Sequence, residues 1–294
     1  GAGIGLFIAF IGLQNAGVIS RDDATLVSLG EITSGAPLLA MIGLAITSVL
    51  VVKKVRGALL IGILLTTAIG IPMGITHYNG LMSTPHSIAP IFCQFEWSEV
   101  LSLDMVVVIF TFLFIDMFDT IGSVVGVCTK AGMLDSQGRI PRVKQVFMSD
   151  ALATVAGACF GTSTTTTYVE SAAGVAQGGR SGLTSFVVAC CFFVALFFCP
   201  LFLAIPSAAT APVLVIVGLF MLSPIRNIPL EDYSESIPAF ICVVMMPLAY
   251  SISDGILLGM ISYVVINVLC GHFKRLTPTM YVLAVLFMLK YVFF

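Results

Sequence analysis

Charge is what this sequence has least of. Only 10% of its 294 residues are Asp, Glu, Lys or Arg, against 59% hydrophobic, and the mean hydropathy is +1.10. Soluble domains carry about a quarter charged residues, so a water-facing globule is excluded and an all-α polytopic membrane protein is indicated. A net charge of −2 leaves no basic surface for nucleic acid. Histidine is scarce, and the eight cysteines (93, 128, 159, 190, 191, 199, 242 and 270) include no C-x-x-C pair and no His at ligand spacing. No metal site and no disulfide framework follow, and the cysteines read as small buried hydrophobes. An initiator Met and the basic flank of a signal peptide are missing too. The chain opens GAGIGLFIAF, already inside an apolar run, and the expectation is a piece of a longer protein.

What is present is a series of apolar runs near the ~20 residues that cross a bilayer. Candidate spans cover 3–19, 36–52, 57–75, 104–128, 149–160 (short), 161–179 (broken), 183–204, 208–224, 237–250 and 253–271, with an apolar tail over 276–294 that either spans or lies in the interface. Lys and Arg alternate between loops. Lys53, Lys54 and Arg56 follow the second span, Lys130, Arg139, Arg142 and Lys144 the fourth, and Arg180, Arg226, Lys274 and Arg275 the sixth, eighth and tenth. The intervening loops are nearly bare, Arg21 excepted, and none occurs between Thr76 and Asp104. By the positive-inside rule this predicts about ten crossings in a plasma membrane, with the C-terminus cytoplasmic. Pro37 before Gly57-Ala58-Leu59-Leu60, and Pro238 before Gly255-Ile256-Leu257-Leu258, hint at an inverted repeat.

The organising stretch is GTSTTTTYVESAAGVAQGG, Gly161 to Gly179. Its β-branched threonines favour extended backbone, and the small residues that follow suit a short helix, with Thr167 and Glu170 fitting a T-x-x-E start signal. Such a break is tolerated at membrane depth only where it is buried in protein or lines a cavity. The plainer alternative is that Glu170 merely caps its own helix at a membrane surface. In span four, Asp116 and Asp119 share a broad helical face with Thr120 and Ser123, and Gly122 and Gly126 form a small-residue strip. An acid at a helix centre in the membrane costs about 2.5–3.5 kcal/mol and is a functional candidate by default, unless Asp116 simply reaches water at the cytoplasmic end. Carboxylates accept from ring N–H and amino groups, and desolvated acids held close together take up protons. A flat, hydrogen-bond-rich ligand carried with a proton would use both abilities.

IDMFDTIG at 115–122, TTTTYVESAAG at 164–174 and MMPLAYSISDGI at 245–256 resemble the AzgA-like purine permease branch of the nucleobase/cation symporter superfamily. The resemblance implies a fold of seven plus seven inverted-repeat spans divided into core and gate domains. It also implies an acid pair in the core, matching Asp119 and Glu170. On this pattern 1–75 are gate helices, 76–103 an external loop, 104–205 half of the core, 206–271 gate helices again and 272–294 a tail helix. The first four family spans would precede Gly1, so the chain as it stands holds half a binding site. The expected substrate-binding residues are Asp119, Glu170, Thr120, Thr166, Thr167 and Tyr168, with Asp116, Asp119 and Glu170 coupling protons. Expected partners are a purine nucleobase (hypoxanthine or guanine first, adenine and xanthine open), protons, the lipid bilayer and a second copy in a homodimer. No cofactor is expected, the proton gradient being the energy source.

Other residues carry plainer readings. His77 and His86 share the external loop with Glu96, Trp97 and Glu99 at spacing too irregular for a metal. Tyr168 either stacks on a base or seats the short helix, Asp254 caps a helix, and Lys130 to Lys144 is a cytoplasmic linker. An anion carrier is disfavoured because Glu170 would repel its ligand. An intramembrane aspartyl hydrolase needs opposed aspartates, whereas Asp116 and Asp119 sit on one helix. A receptor or structural role stays open.

Overall fold

The computed structural model describes residues 1–294 apart from 79, 86, 97–102, 169, 223, 224, 227 and 294, and apart from the side chains of 103, 104, 106–108, 110, 111, 114, 115, 118, 119 and 289–293. His86, Trp97, Glu99 and the side chains of Asp119 and Lys290 therefore lie outside the described residues. Helices dominate: α1 Ala2–Asn15, α2 Gly35–Val52, α3 Ala58–Gly70, α4 Leu103–Ala131, α5 Val143–Cys159, α6 Ser171–Ala176, α7 Gly182–Ala195, α8 Cys199–Leu203, α9 Ser207–Met221, α10 Tyr233–Leu248, α11 Ile252–Leu269 and α12 Pro278–Phe293. Among the described residues, α2 and α11 are long and apolar enough to cross a membrane by length and composition, and α1, α3, α7, α9 and α10 are shorter apolar helices. Two compact units emerge, one of Gly1–Phe7, Cys93–Val169 and Met221–Phe294, the other of Ile8–Phe92 and Glu170–Phe220.

In the second unit, α2 and α3 form a hairpin whose contact is made by small residues. Thr47 and Thr66 are fully buried and return their hydroxyls to the carbonyls of Gly43 and Gly62, each at 2.7 Å. A Cβ on Gly43 would lie 2.7 Å from Thr66 Cγ2, and one on Gly62 would collide with Thr47 Oγ1. Each helix thus places a threonine against the other's glycine, which lets the backbones approach closely. A hairpin of β1 (Ile19–Asp22) and β2 (Leu26–Leu29) precedes α2, Ile19 pairing with Leu29. Hydropathy gives no sign of it, because both strands are short and mostly exposed. Its turn is chemical: Asp22 Oδ1 accepts the N–H groups of Ala24 and Thr25 at 2.8 and 2.9 Å, which holds the carboxyl below its ordinary range.

In the first unit, α10 and α11 form the corresponding hairpin. Gly259 faces Cys242, whose Cβ would be 2.6 Å from an added Cβ, and Gly255 faces Met246. Pro238 and Pro247 stand inside α10, where each removes a helical hydrogen bond. The tail is now placed against a neighbour. Helix α12 doubles back along α11, with Phe287 against Leu257 and Ala284 against Val264. Asp254 is not the cap of α11. Ser251 holds that position and its Oγ accepts the Asp254 N–H at 3.1 Å, leaving Asp254 in the first turn.

The base of this hairpin is polar. Asp232 caps α10, accepting from the Ser234 N–H and hydroxyl at 3.0 and 2.6 Å and from Arg275 at 2.9 Å. Tyr263 donates to Glu235 at 3.1 Å, and Arg275 stands 3.6 Å from the same carboxylate. Arg275, expected as a topology anchor, thus also ties the turn after α11 to the start of α10. The Ser234 and Arg275 bonds pull the Asp232 carboxyl down to about 2, below the unfolded value near ~3.9. Its contribution to stability is therefore full above about pH 4 and lost as pH falls toward 2. Thermal unfolding of the detergent-solubilised full-length protein between pH 6 and 2 is expected to show wild type above Asp232→Asn, with the gap closing over that window.

Candidate functional site

Two helices of the first unit bring their polar faces to one extended strip of chain. Helix α4 is 29 residues long, about 43 Å at 1.5 Å per residue, and aligns Asp116, Thr120 and Ser123 at helical spacing. Thr120 is fully buried, as is Ser123, whose hydroxyl has no hydrogen-bond partner among the described residues. Helix α5 aligns Asp150, Thr154 and Gly157 in the same way. After α5 the chain turns at Gly161 (φ +74°) and runs back along the helix without regular secondary structure through Tyr168. Gly157 makes this return possible, since an added Cβ would lie 2.7 Å from Thr165 Oγ1 and 2.8 Å from Thr162 Oγ1.

The extended segment pairs with no strand among the described residues, so side chains serve its backbone. Thr154 Oγ1 donates to the Thr165 carbonyl at 3.0 Å and meets Thr164 Oγ1 at 3.1 Å. Alternate threonines share one side of extended backbone, and they engage the acids. Thr164 Oγ1 donates to Asp116 Oδ1 at 2.6 Å. Thr120 Oγ1 donates to Asp150 Oδ2 at 3.0 Å and contacts Thr166 Oγ1 at 3.0 Å. A hydroxyl has one hydrogen to give, so Thr166 is the donor to Thr120. The Thr167 backbone N–H also lies near Asp150. A groove of about 550 Å³ is lined by Thr165, Thr166 and Thr167 and, along the start of α5, by Arg142, Gln145, Ser149 and Asp150. That volume falls within the ~300–1,000 Å³ of small-molecule sites.

Of the expected site residues, Asp116, Thr120, Thr166 and Thr167 come together here. Tyr168 ends the extended segment with its ring 65% exposed. Asp119 lies on α4 with its side chain outside the described residues. Glu170 belongs to the other unit, exposed, at the N-cap position of α6. The T-x-x-E signal is not realised as a capping box. Thr167 stays outside regular secondary structure, helix α6 begins only after Glu170, and Glu170 makes no side-chain cap bond. Asp150 is the residue that sequence reasoning missed. The linker from 132 to 142 is non-helical, turned by Asp135 accepting the N–H groups of Gln137 and Arg139 at 2.8 and 2.7 Å. In the loop before α4, His77 and Glu96 are exposed, and Cys93, expected to be buried, is exposed as well.

Acids lodged among apolar helices beside an unwound segment suit a membrane carrier, and the sequence comparisons place the chain in a family of that class. The model of the permease family Xan_ur_permease matches residues 1–258, and the chain belongs to that family. It is 48% identical over 292 residues to a protein of Methanocaldococcus jannaschii that carries a permease name, across 99% of this chain and 67% of the relative. It is 41% identical to the adenine permease AdeP of Escherichia coli (99% and 66%) and 42% identical to the guanine/hypoxanthine permease PbuG of Bacillus subtilis (100% and 67%). The chain thus spans about two thirds of the length of these relatives. They are permeases and not enzymes, which sets the hydrolase reading aside.

Proposed function

We propose that the full-length protein carries purine nucleobases across the plasma membrane together with protons, by movement of a core domain against a gate domain in a seven-plus-seven inverted-repeat fold. One observation carries this reading: carboxylates on two helices engage alternate threonines of a single unwound segment beside a groove, Asp116 accepting from Thr164 directly and Asp150 reaching Thr166 through the Thr120 hydroxyl. The adenine and guanine/hypoxanthine permease names of the relatives point to the same substrate class. Asp119 and Glu170 hold the N–H edge of the base, Thr166 and Thr167 complete the pocket, and Tyr168 stacks on the ring. The gate and core segments drawn along the sequence, ten crossings, a cytoplasmic C-terminus and a homodimer are part of this proposal.

Counting hydrogens supports Asp116 as a proton carrier. Three contacts run in series, Asp116 to Thr164, Thr164 to Thr154, and Thr154 to the Thr165 carbonyl. With the carboxyl ionised, two hydroxyl hydrogens serve three contacts. A proton on Asp116 supplies the third and completes the chain. Radiolabelled hypoxanthine and adenine uptake by the full-length protein is expected to fall at least about tenfold in Asp119→Asn and in Glu170→Gln, since each loses an acceptor for a buried N–H. Undiminished uptake in both would remove these two roles.

A further inference from the structure

We propose that Cys93 and Cys159 form a redox-responsive pair on the external face, closing to a disulfide that staples the loop before α4 to the end of α5. This rests on the membrane topology proposed above and not on the substrate or its coupling to protons. The last carbonyls of a helix have no helical partner, and at the end of α5 the Cys159 carbonyl is taken by the Cys93 N–H at 2.9 Å. Cys93 is held there at φ +54°, a left-handed conformation that a non-glycine residue keeps only when its surroundings enforce it. Both thiols are free, and they are near enough for the Cys159 thiol to bear on the ionisation of Cys93. A direct backbone bond keeps the two Cα atoms close to the ~4.4–6.8 Å that a disulfide spans.

Two independent arguments place the pair outside. No Lys or Arg occurs between Thr76 and Asp104, the mark of an external loop. Helix α5 starts beside Arg142 and Lys144, on the basic side, and Cys159 ends it nine residues beyond Asp150, about 13 Å further along the axis. The external compartment is where disulfides persist. The oxidant is a disulfide donor, either a low-molecular-weight disulfide or a protein disulfide. The Cys93 thiolate attacks it, releasing one thiol and leaving a mixed disulfide. The Cys159 thiolate then attacks the Cys93 sulfur and releases the second thiol, so two thiols are oxidised, one disulfide is reduced and its two thiols carry off the protons. The closed ring encloses the whole of α4 and α5. Desolvation and the Cys159 contact push the Cys93 thiol up from its ordinary range, so closure accelerates with rising pH, about tenfold per unit below that value.

The test uses cells expressing the full-length protein, treated outside with oxidised glutathione and then with a membrane-impermeant maleimide. Peptide mapping is expected to yield a Cys93–Cys159 cross-link that dithiothreitol removes, with both thiols maleimide-reactive before oxidation and protected after it. Cys93→Ser abolishes the cross-link. The oxidised wild type is expected to melt at least about 5 °C above the reduced form, with no such shift in Cys93→Ser. Maleimide labelling of both thiols after oxidation, labelling by permeant reagent alone, or pairing of Cys93 with another cysteine would each overturn the proposal.

Discussion

Exchanging Asp150 for asparagine in the full-length protein is expected to lower purine uptake about tenfold to a hundredfold while leaving the amount inserted in the membrane unchanged. The reason is a mismatch of donors. Asp150 receives the Thr120 hydroxyl at 3.0 Å and has the Thr167 N–H nearby, so the groups that face it call for an acceptor. Asparagine keeps one acceptor oxygen and turns an amino group toward a donor. A donor left unmatched away from water costs about 1–3 kcal/mol, and about 1.4 kcal/mol is a tenfold change. The hydroxyl relay gives the control. Thr120→Ser retains the donor and is expected to keep most of the uptake, whereas Thr120→Val removes it and follows Asp150→Asn. If Asp150→Asn transports as wild type does, the segment is not held by this carboxylate.

Widening Gly157 is the second large effect. A side chain there meets Thr165 Oγ1 at 2.7 Å, Thr162 Oγ1 at 2.8 Å and the Ser163 carbonyl at 3.4 Å. The threonine hydroxyls can rotate away, but a larger residue also reaches the backbone of the extended segment, which cannot. Overpacking of this kind costs about 1–3 kcal/mol, and here it would be spent on the strip that bears Thr164 and Thr166. Gly157→Leu is expected to lose at least about tenfold in uptake. Ala156 and Ala158 are exposed, so Ala156→Leu and Ala158→Leu serve as neighbours that leave uptake unchanged. Equal uptake in all three variants would show that the return along α5 is not required.

The interruption at 161–179 was legible because threonine and glycine depart so sharply from their apolar surroundings, and Asp116 was legible because an acid inside a long apolar run has few innocent explanations. Asp150 was not. Hydropathy begins the fifth span at 149, which leaves the acid at its edge beside a basic linker, where it reads as solvated. The helix in fact starts at Val143 and carries Lys144 and Gln145 in its first turn, so Asp150 stands two turns inside. The T-x-x-E signal misled for a related reason. A capping box counts only local bonds, while the threonines before Thr167 are held extended by Asp116, Thr120 and Thr154 of two helices. The hairpin at 19–29 escaped notice because its strands bury little and its turn rests on one aspartate. The small-residue contacts of Gly43 with Thr66 and Gly62 with Thr47 were visible as letters, but only packing gives them partners.

In the proposed function the purine meets the unwound threonine segment and the acids around it. Photoaffinity labelling of the purified full-length protein with an azido-adenine probe, followed by peptide mapping, tests this directly. The expected result is a cross-link within 161–170 or on the Asp116–Ser123 face of α4, suppressed by excess adenine or hypoxanthine and weakened in Asp150→Asn. Cross-links confined to other parts of the chain, yet still displaced by the free base, would contradict it.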